Sequence, residues 1–100
     1  MGRQAEHVYT DQPTIARFNG MVEHLQNGAR VRLHLADGST CDGVVAARPT
    51  VQEFYDGGGN EGSNGVVHLE QLGTSEWKRY IWFDQIERIE HLDSDAQLRA

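Results

Sequence analysis

The sequence contains a single cysteine, Cys41, and two prolines among its 100 residues. One cysteine cannot staple the chain, so the fold must rest on a hydrophobic core, and the expected setting is the reducing cytoplasm. No apolar run approaches the roughly 18 residues of a membrane helix, and Met1 to Thr10 lacks the apolar stretch of a secretory signal. A membrane partner is therefore not expected. Positive charge is also scarce: nine Lys and Arg face fifteen Asp and Glu, for a net charge of −6. That balance disfavours a nonspecific grip on nucleic-acid backbones. The shortage is local, because residues 1–50 are balanced, whereas Val51 to Glu76 has no Lys or Arg and carries Glu53, Asp56, Glu61, Glu70 and Glu76.

Patterns that carry chemistry are missing as well. His7, His24, His34, His68 and His91 stand singly, with no HxxxH or HExxH pair, so no metal centre is expected. Cys41 has neither a nearby His nor a cluster of cations to lower its pKa, which argues against a nucleophile. The segment DGGGNEGSNG, Asp56 to Gly65, has the glycine content of a phosphate cradle. A P-loop, however, needs Lys and Ser/Thr opening a helix; here Asn64-Gly65 leads into Val66-Val67, and Glu61 would repel phosphate. No catalytic residue and no cofactor is expected, and the function is read as non-enzymatic.

What is present is one helix and a series of short strands. Ile15, Phe18, Val22 and Leu25 recur at helical spacing and predict an amphipathic helix over Pro13 to Gln26, with Asp11 as N-cap and Asn27-Gly28 as the stop. The period then changes to two: Val31, Leu33 and Leu35 alternate with Arg30, Arg32 and His34. Asp37-Gly38 suits a hairpin turn, and the chain returns over Ser39 to Ala47, where Gly43 allows a bend or bulge. Strands follow over Val66 to Leu72, Trp77 to Phe83 and Ile86 to Leu92. With five glycines in ten residues, Asp56 to Gly65 reads as a mobile loop. The predicted layout is an N-terminal arm over 1–12, one domain over 13–92 with the glycine-rich loop at 56–65, and a tail over 93–100. The predicted core is Ile15, Phe18, Val22, Leu25, Val31, Leu33, Leu35, Val45, Val67, Leu69, Ile81, Phe83, Ile86 and Ile89.

Two segments stand out as candidate binding surfaces. Alternation along WKRYIWF places Trp77, Arg79, Ile81 and Phe83 on one face and Lys78, Tyr80 and Trp82 on the other. An outward aromatic set with cations suits either a subunit interface or base stacking, and the interaction residues expected are Lys78, Arg79, Tyr80 and Trp82. The second candidate is the acidic loop from Glu53 to Glu70, with Asp56, Asn60, Glu61 and Asn64, expected to become ordered on a basic protein partner or another subunit.

Helix first, then five short strands, is a small-barrel pattern. The succession of the helix, VRLHLADGSTCDGVV, a loop, GVVHLEQL, WKRYIWF, a DQ corner and IERIEHL resembles the Sm-like fold over Thr14 to Leu92, and the chain is similar to a small uncharacterised bacterial family with a variant Sm-like barrel. The first Sm motif is matched at Leu35, Gly38 and Gly43. The resemblance implies a mainly β fold with one N-terminal helix and a five-stranded, strongly bent antiparallel barrel. It also implies a homo-oligomer paired through edge strands. RNA binding is the alternative it suggests, with Tyr80 and Trp82 stacking and Lys78, Arg79 and Arg48 on phosphate. Against that alternative, Pro49 and Glu53 occupy the places of the Asp and Asn of RNA-binding Sm proteins, and the Arg-Gly or Lys-His element of the second motif is replaced by YIWFDQ.

Overall fold

The computed structural model describes residues 3–71 and 77–92. In chain order the elements are β1 (Arg3–Gln4), α1 (Gln12–Glu23), β2 (Arg30–Leu35), β3 (Thr40–Ala47), β4 (Gln52–Tyr55), β5 (Glu61–Asn64), β6 (Val66–Glu70), β7 (Lys78–Trp82) and β8 (Ile86–His91). A single 3-10 turn, Phe83–Gln85, joins the last two strands. The tail over 93–100 and the turn at 73–76 lie outside the described residues.

Helix α1 begins as expected. The Asp11 carboxylate accepts from the Thr14 amide at 3.0 Å, and Pro13 sits in the first turn, where its missing N–H has no partner to lose. The helix ends at Glu23, earlier than the predicted Gln26, and a tightened turn in which Leu25 N–H donates to Val22 C=O still delivers Leu25 to the core. Gly28 follows at φ +86, a conformation that favours glycine.

The five predicted strands form one sheet in the order β7-β6-β3-β2-β8, all antiparallel neighbours. The fold is mainly β with one helix. The sheet stays open, with β7 and β8 as its two edges. Its register shifts between Val45 and Ala47 against β6 and between His34 and Leu35 against β8, and such irregularities bend a sheet. Neither shift falls at Gly43. That glycine serves close approach: a Cβ there would lie 3.0 Å from Glu70 O and 3.1 Å from Leu69 Cβ.

Phe18, Leu25, Val31, Leu33, Val45, Val67, Leu69, Ile81, Phe83 and Ile86 are buried as predicted. Val22, Leu35 and Ile89 pack against this core half-buried. Ile15 is half-buried, and Met21 takes the inward position one turn after Phe18. Cys41 is also buried, and burial pushes its thiol pKa up.

The glycine-rich segment is not all loop, as Glu61–Asn64 form a strand. β4 and β5 form an antiparallel hairpin, and β1 adds to β4 in parallel, giving a second sheet in the order β1-β4-β5. The expected N-terminal arm is thus partly a strand: Arg3 and Gln4 are in register with Phe54 and Tyr55, and Ala5 is buried. The order has a local cause. Asp56 Oδ1 accepts from the amides of Gly58 and Asn60 at 2.9 Å each, closing a turn in which Gly59 adopts φ +84. Farther on, glycine provides space. A Cβ on Gly62 would lie 2.9 Å from both Tyr9 N and Tyr9 O, and one on Gly65 would lie 2.5 Å from Phe83 Cε2.

Candidate functional site

Strand β7 carries the residues singled out for binding. Its neighbour β6 sets the register, with Val66 opposite Trp82, His68 opposite Tyr80 and Glu70 opposite Lys78. Because Val67, Leu69 and Ile81 are buried, the alternate residues Val66, His68, Glu70, Lys78, Tyr80 and Trp82 share the outer face. Tyr80 is 63% exposed and stacks on the His68 ring, with centroids 4.6 Å apart. His68 Nε2 is buried beneath this pair; the nearest carboxylate oxygen, on Glu70 at 3.7 Å, is beyond hydrogen-bond distance. Lys78 is exposed on the same face, while Arg79 belongs to the inner face and reaches solvent at the sheet edge.

Trp82 does not complete the expected platform. It is half-buried, with its ring edge-on to Phe54 of the second sheet at 5.1 Å, so the two sheets meet where an outward stacking surface was expected. Arg48 lines the groove beside Tyr80, together with Pro49, Thr50, Gln52, Phe54 and His68. Its guanidinium is ion-paired with Glu23 at 3.2 Å.

The four loop residues separate into two roles. Asp56 and Asn60 hold the turn, and the amide of Asn60 is the main cause that keeps the Asp56 carboxyl below its ordinary value. Asn64 is 1% exposed; its Nδ2 donates to His7 O at 2.8 Å and its Oδ1 accepts from Gly65 N–H. Glu61 is exposed and faces solvent. On the same face of the hairpin stand Glu53, which accepts from Ser63 Oγ at 2.8 Å, and Tyr55, in register with Glu61.

Beside this acidic face lies a groove of about 360 Å³ lined by Tyr9, Thr10, Ile15, Glu53, Glu61 and Ser63, a site that sequence reasoning missed. Its floor depends on Gly62, where the Tyr9 backbone pairs across to Ser63 in both directions, at 3.0 and 2.7 Å. The Tyr9 hydroxyl donates to Asp84 Oδ2 at 2.9 Å, and burial together with that carboxylate pushes the phenol pKa up to about 12. The missed signal was Asp56 four residues before Asn60 with glycines between, a turn pattern directly after Phe54-Tyr55.

At the opposite edge of the main sheet, Arg17 donates to Ile86 O and His91 donates to His24 O at 2.7 Å, tying α1 to β8. Among the described residues no group of three or more His, Cys, Asp or Glu is placed to hold a metal ion, and no helix is long and apolar enough to cross a membrane.

The family model described as a domain of unknown function, DUF3247, matches residues 2–92. None of the curated proteins matches the chain in sequence. A solved structure of the Xanthomonas campestris protein XC5848, described as adopting a novel variant of the Sm-like motif, superposes with a TM-score of 0.85 at 40% identity, covering 92% of this chain and 99% of that one.

Proposed function

The chain belongs to the DUF3247 family of unknown function and has an Sm-like fold, and from that membership we propose that it is a non-enzymatic interaction and assembly module of the cytoplasm that associates with copies of itself through its sheet edges. The observation that carries this reading is Tyr80. It is a large aromatic 63% exposed on β7, a strand with a hydrogen-bonding edge that no described strand covers. An unpaired edge is a template for another strand, and an aromatic at its centre is the residue type that anchors interfaces. The buried thiol of Cys41 fits the reducing setting. Light scattering on the chain, whose mass is 11.2 kDa, tests the reading. A dimer or larger particle at tens of micromolar, converted to monomer by Tyr80→Glu, is the expected result; an 11.2 kDa particle for the unmodified chain overturns it.

RNA binding is the second reading, favoured by Lys78 and Arg79 standing exposed beside Tyr80 and by Arg48 on the adjoining groove. The net charge of −6, the Arg48–Glu23 pair and the contact of Trp82 with Phe54 rank it lower. Titration with A-rich and U-rich oligonucleotides at low salt decides it, since binding through several phosphates falls steeply as salt is added.

A further inference from the structure

Among the described residues, the outer face of the small sheet is only partly covered: Ser63 is buried beside the Tyr9 backbone, and the rest of the face is open. Its inner residues Phe54 and Asn64 are buried, whereas Glu53, Tyr55 and Glu61 point the other way, with Tyr55 40% exposed. Charge on this face is of one sign. No Lys or Arg occurs between Arg48 and Lys78. Glu53 is fixed by Ser63 Oγ through one carboxylate oxygen, which leaves the other for an external donor. Asp56 holds the turn and remains anionic at the end of the same hairpin.

We propose that this face, with the groove walled by Tyr9 and Ile15, docks an extended segment of a partner protein carrying lysine or arginine at alternate positions. Register and spacing support the choice. Glu53 opposes Ser63, two residues from Glu61, so the two glutamates are diagonal cross-strand neighbours, a relation that spans roughly 7–8 Å. Alternate side chains of an extended peptide recur at about 6.7 Å, so successive cations meet successive carboxylates. Between them Ile15 offers apolar surface for the aliphatic stem of a lysine. The hairpin is already ordered by its turn and by Tyr9, so docking does not require a loop to fold. Nucleic acid is repelled by the same charges. The surface is separate from the β7 edge and serves a monomer or an oligomer alike.

The test is an NMR titration of the full chain with a decapeptide of alternating lysine and threonine at low salt, alongside the same peptide with glutamate for lysine. Shifts centred on Tyr9, Tyr55 and Glu61 to Ser63, and no binding of the glutamate peptide, are the expected result. Glu53→Gln with Glu61→Gln keeps the acceptor for Ser63 and removes the charge; it is expected to weaken binding about tenfold. Tyr80→Glu is expected to leave peptide affinity unchanged even where it disperses an oligomer. Absence of binding, shifts centred elsewhere, an unaltered affinity in the double glutamine variant, or loss of binding with Tyr80→Glu would each overturn the proposal.

Discussion

The two halves of the glycine-rich segment use the same residue for opposite ends. In the turn, a Cβ on Gly57 would meet nothing within 4 Å, and the conformation is held by the Asp56 side chain and by the positive φ of Gly59. In the strand half, Gly62 and Gly65 stand where a backbone and an aromatic ring press against them. Glycine content alone therefore does not mark a segment as irregular. What matters is whether the missing side chain leaves empty space or space that another group fills.

Adding one methyl group at each position separates the two uses. The largest effect is expected from Gly65→Ala, because its Cβ would fall 2.5 to 2.8 Å from three atoms of the Phe83 ring. Phe83 is fully buried and packs on Phe18 at 5.7 Å, so the ring has no vacant space to move into. A loss of about 3 kcal/mol is expected, read as a lower midpoint in urea unfolding; an unchanged midpoint would show that the ring yields freely.

Acid provides the intermediate case, confined to the turn. The folded pKa of Asp56 is held below the unfolded value of 3.8, chiefly by the Asn60 amide. Its contribution to stability is therefore complete above that value and is lost as pH falls through the lowered folded pKa. Amide shifts of Gly58 and Asn60 are expected to titrate with a midpoint below 3.8, while the buried Asn64 side-chain amide stays unchanged. A midpoint at or above 3.8 would break the assignment of the turn to this carboxylate.

The smallest effect belongs to Gly57→Ala. The site is open and its φ is not positive, so alanine chiefly restricts the unfolded chain. A gain of about 0.4 to 1 kcal/mol is expected in the same unfolding measurement, and a loss as large as that of Gly65→Ala would erase the distinction between the halves.

The same contrast explains which parts of the fold were legible in the sequence. Val31 and Leu33 alternating with Arg30 and Arg32 announce a half-buried strand, and the Phe18 to Leu25 stripe announces the helix, because each buries apolar side chains at a fixed period. Strand β5 reads Glu-Gly-Ser-Asn, and its Gly62, Ser63 and Asn64 are buried. They are covered by the Tyr9 backbone, the Glu53 carboxylate and the carbonyl of His7, contacts that leave no periodic apolar signature. The outward position of Tyr80 followed from alternation within its own strand. The covering of Trp82 did not, since Phe54 arrives from a different sheet.

The parallel pairing of Arg3 and Gln4 with Phe54 and Tyr55 has a kinetic consequence. The hairpins β2–β3 and β4–β5 join residues close in sequence, whereas this pairing and the Tyr9–Ser63 bridge must close a loop that contains the whole helix and both those first strands. Loop closure of that length offers no reward until a docking surface exists, and contacts of high sequence separation form late in folding. The N-terminal strand is thus a clasp laid across the β4–β5 hairpin, one of the long closures of the fold beside the β2–β8 pairing.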